Sequence, residues 1–275
     1  MSDQTTNRFD RINPHVPHIA RVWNYWLGGK DNYEADRQVG DRVMQVFPQI
    51  TDIARTDRAF LGRAVRHLVE DAGIRQFLDI GTGLPTANNT HEVAQSLAPE
   101  SRIVYVDNDT LVLTHARALL ASSPEGATDY LEADARDPQK ILAAAKRTLD
   151  FDRPVAIMLL GVLHYIPDYE RTLEVVHELL EAVPSGSYLT ITHATFDTTL
   201  GSQEGVEKNA EATEYWNKNA PMPIAHRSKG RIMAYFEGLD VVDPGVVSMP
   251  LWRPETTPFG EPPAVFGYGG VARKP

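Results

Sequence analysis

Two acids and a glycine turn carry the strongest chemical signal in this chain. Residues 77–86 read FLDIGTGLPT, an apolar run that ends in Asp79 and opens into a turn with Gly81, Thr82 and Gly83. The next apolar run, RIVYVD, ends at Asp107, followed by Asn108, and a further acid, Asp134, stands before Ala135 in YLEADARD. Glycines carry no Cβ and let backbone approach a ligand closely. An acid at the end of the second strand can accept hydrogen bonds from both hydroxyls of a ribose. Asp134 can accept from an adenine amino group, and Asp79 can meet an ammonium directly or through water. The alternative for each acid is a helix N-cap. In register with the glycine turn, the series describes a nucleoside site.

The elements that position these residues alternate. Strand candidates are 76–80, 102–106, 129–132, 155–160, 188–192, 239–242 and 264–273. Helical segments fall at 90–98, 111–122, 138–148, 169–182 and 228–236. This alternation predicts an α/β fold: a Rossmann-like, seven-stranded, mostly parallel sheet with helices on both faces. Only the Pro-rich loop 250–263 separates the last two strands, so the last is expected to run antiparallel. Ligands of open α/β sheets bind outside the carboxyl ends of the strands, where strand order reverses. The strand ends therefore add Gly161, Leu163, His164 and His193 to the candidate site.

Residues 1–17 are polar and read as an arm. The aromatic stretch IARVWNYWLGGKDNYEADRQ predicts a helix, a break at Gly28-Gly29 and a second helix, with another over 53–71. The expected organisation is an arm and helical cap over 1–70, then a sheet domain over 71–275 interrupted by an insertion at about 195–227. His15 and His18 are spaced HxxH among prolines without an acid cluster. They read as unstructured surface residues, and no metal site is expected.

At 275 residues the chain suits one domain with a cap, and 42% hydrophobic with 23% charged residues is ordinary for a globular protein. No apolar run reaches the roughly 18–20 residues of a membrane span, and the start lacks the order of a secretory signal. There is no cysteine to form disulfides or thiolate sites. A cytoplasmic setting is expected. The net charge of −10 argues against a general nucleic-acid surface. A small-molecule or protein substrate fits better.

The turn also bears on the ligand's charge. GTGLPT lacks the third glycine of a dinucleotide fingerprint, with Thr86 in its place, and a carboxylate at Asp79 repels a diphosphate. A nucleoside carrying an amino acid fits better.

On these residues the chain resembles a class I S-adenosylmethionine-dependent methyltransferase over about residues 70–275. Over nearly its whole length it is similar to the actinobacterial family named S-adenosyl methyltransferase, once a domain of unknown function. The segments RVWNYWLGGKDNYEADR, FLDIGTGLPT, VDNDTLVLTHARALL, EADARDP and VLHYIPD carry this narrower match. Pro85 stands where the familiar methyltransferase pattern has a third glycine. The resemblance implies S-adenosyl-L-methionine as cofactor, with Gly81 and Gly83 at its methionine part, Asp107 at the ribose and Asp134 at the adenine. It implies that the end of the strand at 155–160 flanks the methyl group and that residues 23–33 cap the cofactor. Tyr25 and Trp26 could then bound the sulfonium, as aromatic faces bound other cations, and Lys30 and Asn32 could reach polar atoms.

Methyl transfer needs an aligned acceptor and sometimes a base. His164 is the first candidate and His193 the second; the alternative is a histidine that only bonds a loop. Tyr165, Tyr215, Trp216, Met222 and Trp252 are candidates for an acceptor pocket. Three readings stand: methyl transfer to an unidentified small-molecule acceptor at O, N or C; a non-catalytic S-adenosylmethionine-binding protein; and a dinucleotide-dependent oxidoreductase. A cavity beside the methyl group separates the first two. The sequence does not fix the oligomeric state.

Overall fold

A computed structural model describes residues 13–85, 87–109, 112, 122–255 and 260–275. Its centre is β1 (Gln76–Ile80), buried along its whole length, as a parallel strand covered on both faces must be. Parallel strands β2 (Arg102–Asp107), β3 (Ala127–Glu132), β4 (Ala156–Leu160) and β5 (Tyr188–Ala194) join it in the order β3-β2-β1-β4-β5. β1 has β2 on one side and β4 on the other, so successive connections leave in opposite directions there and open a crevice at the strand ends.

The edge differs from expectation. β6 (Asp240–Val241), β7 (Val247–Ser248) and β8 (Gly267–Arg273) complete an eight-stranded sheet, not the seven-stranded one expected. β8 runs antiparallel to β5, and β6 and β7 both pair antiparallel with β8. The added strand is β7, whose two residues are too short to show an alternating pattern.

Side chains alternate across the sheet with period two. Phe77 faces the layer of α3 (Ile50–Glu70) and α4 (Thr90–Leu97), where Phe60, Leu61, Val65 and Leu68 meet Ile103 and Met158. Leu78 and Ile80 face the opposite layer of α5 (Pro138–Ala145) and α6 (Tyr169–Glu181), beside Val104, Ile157 and Leu159. The short α8 (Lys229–Met233) adds Ile232 to this second layer. The helix expected at 111–122 lies outside the described residues except for Val112 and Ser122.

A third cluster joins α1 (Ile19–Trp26), α2 (Glu34–Val46) and α7 (Gln203–Asn219) through Val22, Trp26, Val43, Phe47, Ala212 and Trp216. Local chemistry sets these helices. The His18 side chain accepts from the Ala20 amide at the start of α1, and Gly28 at φ +81 follows its end. Ser202 caps α7 through the Gly205 amide. Residues 195–227, expected as an insertion, thus supply a helix that packs on the N-terminal pair. Among the described residues no helix is long and apolar enough to cross a membrane.

Candidate active site

Where β1 ends, Gly81 turns at φ +77 and its amide donates to the Val106 carbonyl at 2.7 Å. A Cβ at Gly81 would lie 2.0 Å from Val162 Cγ2, so only glycine fits between the two strand-end turns. Gly83 turns at φ +64, and its amide donates to Asp107 Oδ2 at 2.9 Å. The Asp109 amide donates to Asp107 Oδ1, also at 2.9 Å. The glycine turn and the acid of β2 are one hydrogen-bonded unit.

These groups line a cleft of about 1130 Å³, counting its open mouth. Asp79, Gly81, Thr82, Gly83, Asp107, Asn108, Asp134, Ala135 and Gly161 all border it, together with Val162. Ala20, Trp23, Asn24 and Leu27 border it from α1 and its end. The cap therefore lies across the carboxyl ends of the strands.

Burial sets the charge states. Asp79 is buried and accepts from the Thr90 hydroxyl at 2.6 Å, and desolvation pushes its pKa up to about 6. Burial also raises Asp107, opposed by its two backbone donors. Asp134 is held below the usual carboxylate range, chiefly by the Arg136 guanidinium at 2.6 and 2.9 Å. Any adenine contact there shares the acid with Arg136.

The residues present fit S-adenosylmethionine. Each Asp107 oxygen accepts one amide and keeps a lone pair for a hydroxyl. The Cβ direction of Gly83 meets nothing within 4 Å, leaving room for close approach. Arg58 of α3 lines the cleft opposite in charge to Asp79, with its Nη2 on the Ala87 and Asn88 carbonyls and its buried Nε without a partner among the described residues. An acid and a guanidinium in one cleft complement an amino acid zwitterion.

Other expected residues lie elsewhere. Tyr25 and Lys30 do not border the cleft: the Tyr25 hydroxyl donates to Asp41 of α2, and Lys30 is exposed. One residue along a helix turns about 100°, so Asn24 faces the cleft while Tyr25 faces α2. Leu163 is buried in the core under α6. Trp252, fully buried against Phe60 and His67, belongs to the α3 layer and borders neither cavity, nor does Tyr215. His18 is no free surface residue; it borders the cleft, with its Nδ1 3.0 Å from Asp109 Oδ2.

His164 and His193 border a second cavity that adjoins the first through Trp23, Asp57, Gly161 and Tyr165. His193 is fully engaged: Nδ1–H donates to the Ala194 carbonyl at 2.8 Å, and Nε2 accepts from Arg227 at 2.7 Å. Burial drives its pKa to about 3. His164 is also held well below its ordinary value, by burial first and the neighbouring His193 next. Both rings are neutral near pH 7, and neither is tuned as a strong base. Trp216 borders this second cavity, Met222 the first, and Tyr165 both.

Asp57 and Arg58 were not anticipated. Their signal was present: Ala54, Leu61, Ala64, Val65 and Leu68 form the apolar stripe of α3, and positions 57 and 58 fall on that stripe at helical spacing. Charge on a buried stripe marks a group with a task.

The sheet, its crevice and the acid–glycine unit define an S-adenosylmethionine-dependent methyltransferase with a Rossmann-like fold. More narrowly, the chain belongs to the S-adenosyl methyltransferase family, whose model matches residues 5–275. A DUF574 family protein from Streptomyces avermitilis is 43% identical over 96% of this chain and all of its own, with a TM-score of 0.89. A Thermobifida fusca protein named as a candidate methyltransferase is 40% identical over 99% of both chains, with a TM-score of 0.84. A S-adenosylmethionine-dependent methyltransferase from Anabaena variabilis shares the fold alone, at 12% identity, 96% and 98% coverage and a TM-score of 0.51. No curated protein matches the chain. The activity is S-adenosylmethionine-dependent methyl transfer.

Proposed function

We propose that the first cleft seats S-adenosylmethionine and that a small-molecule acceptor enters the adjoining cavity, with the cytoplasm as the setting. The observation that carries this is the Gly83–Asp107 unit at the crevice, which presents free carboxylate lone pairs beside open space. Asp107 takes the ribose hydroxyls, Asp134 the adenine amino group, and Asp79 with Arg58 the ammonium and carboxylate of the methionine part. When bound, the sulfonium supplies an activated methyl group.

The chain's own residues do the rest. The glycine turn fixes the ligand's height above β1, and α1 excludes water through Trp23 and Leu27. A second cavity meeting the first at shared walls favours transfer over mere binding, since a pure sensor needs no acceptor space. Asp79 at the turn opposes a diphosphate. Calorimetric titration with S-adenosylmethionine, S-adenosylhomocysteine and NAD tests the reading. The first two are expected to bind and NAD to fail; tighter binding of NAD overturns it.

A further inference from the structure

The second cavity encloses about 660 Å³ counting its open mouth, against about 1130 Å³ for the first cleft counted the same way. Its walls are aromatic and aliphatic: Trp23, Trp26, Trp216, Phe47 and Phe266 with Ile53. Among the described residues that line it there is no Lys or Arg. Its histidines add no cation near neutral pH, because burial holds His193 and His226 at about 3 and His164 well below its ordinary value. A planar apolar molecule finds stacking surfaces here. A carboxylate or phosphate meets no Lys or Arg among the described lining residues, the Arg227 guanidinium being held behind His193, and loses its hydration.

One carboxylate stands at the junction. Asp57 borders both cavities. Its Oδ1 accepts from the Thr192 hydroxyl at 2.5 Å, and that hydroxyl accepts from the Gly161 amide at 2.8 Å. The chain of bonds fixes the carboxylate against the end of β4, where the methyl group is expected. Among the described residues no hydrogen bond reaches Oδ2. The buried His164 Nδ1 is also without a partner there, a second polar atom on the same wall.

We propose that the second cavity binds an uncharged aromatic hydroxyl compound and that Asp57 is the catalytic residue that takes the hydroxyl proton. This rests on the first cleft being the donor site. The hydroxyl oxygen forms the new O–C bond as the C–S bond breaks. The electron pair of that bond leaves on sulfur, giving a neutral thioether, and the hydroxyl proton passes to the Asp57 carboxylate. Positive sulfonium and negative carboxylate are both neutralised, so charge and atoms balance. Burial raises the Asp57 pKa, which strengthens its ionised form as a base.

The test uses the full chain with 2-naphthol and 2-naphthoate as probes. In protein loaded with S-adenosylhomocysteine, 2-naphthol is expected to quench tryptophan emission, and 2-naphthoate to bind at least about tenfold more weakly, as expected for an anion buried without a partner. Thr213→Phe, which fills the cavity from α7, is expected to weaken 2-naphthol at least about tenfold while S-adenosylhomocysteine affinity stays within about threefold, since distant sites act independently. Ile224→Trp fills the same space from another element should the first variant not fold. With S-adenosylmethionine labelled in its methyl group, wild type forms labelled 2-methoxynaphthalene, and Asp57→Asn does so at least about 100-fold more slowly with both ligands still bound.

Naphthoate binding as tightly as naphthol overturns the acceptor class. Wild-type turnover in Asp57→Asn, or no labelled ether from wild type, overturns the role of Asp57. If S-adenosylhomocysteine binds and naphthol does not, this inference alone fails. If S-adenosylhomocysteine itself does not bind, the donor reading fails first.

Discussion

The Gly83 amide donates to Asp107 Oδ2 at 2.9 Å, so the residue expected at the ribose also holds the glycine turn in place. Asp107→Ala should therefore lower both melting temperature and affinity, and neither loss alone assigns the ribose. A cycle with 2′-deoxy-S-adenosylhomocysteine separates them. Wild type should bind the deoxy ligand about 1.5–3 kcal/mol more weakly than S-adenosylhomocysteine, the range of one hydrogen bond to a charged group. Asp107→Ala should bind the two alike. Equal discrimination in both proteins would place the ribose elsewhere.

Asp79 predicts a pH dependence with a definite sign. Its pKa rises from 3.8 to about 6 in the fold, so the folded state holds this proton more tightly than the unfolded chain. The contribution to stability is fully present below the unfolded carboxyl value and is lost as pH rises through about 6. The loss is roughly 3 kcal/mol at one pKa unit per 1.36 kcal/mol. Urea unfolding between pH 4 and 7 should show it, and Asp79→Asn should flatten it. Affinity for the cationic S-adenosylmethionine should move oppositely, strengthening as Asp79 ionises through the same range. Affinity that is flat across this range in wild type would remove Asp79 from the ammonium site.

The parts legible in the sequence are those where one element decides the outcome. β1, β2 and β4 announce themselves as largely apolar runs because both faces are buried, and the acids of β1 and β2 reach the crevice by register alone. β7 did not, because two residues have no period. Tyr25 was favoured for its ring, whereas the face of α1 decides which side chain meets the cleft. The engagement of His193 depends on Arg227, which arrives from the segment after β5. Asp57 and Arg58 needed the period of α3 to be checked for charges on its buried stripe.

The glycine turn makes a graded prediction. Gly81 and Gly83 both sit at positive φ, where an L side chain costs roughly 1–2 kcal/mol. Only Gly81 adds a clash, with a Cβ 2.0 Å from Val162 Cγ2. Gly81→Ala should thus destabilise more than Gly83→Ala in thermal unfolding. Adding Val162→Ala to Gly81→Ala should recover part of the loss, leaving the cost of φ. Equal melting temperatures for the two single variants would contradict the close approach of the two strand-end turns.

Trp23 and Trp26 separate the two tasks of the cap. Trp23 is partly buried, borders both cavities, and donates through Nε1 to the Tyr165 hydroxyl at 2.8 Å. Trp26 borders only the second cavity; its buried ring lies 5.8 Å from that of Trp216 and its Nε1 donates to the Gly40 carbonyl. Trp26→Ala should behave as a core truncation, costing about 3–5 kcal/mol. Trp23→Ala should cost less stability but weaken S-adenosylhomocysteine at least tenfold, about 1.4 kcal/mol, by opening the wall between the cavities. Trp23→Phe keeps much of the ring and loses one hydrogen bond, an effect of about 1 kcal/mol. Calorimetry and thermal unfolding on the three variants read both quantities together. If both Trp23→Ala and Trp26→Ala leave affinity unchanged, α1 serves only to bury its own aromatics, and the donor site closes without it.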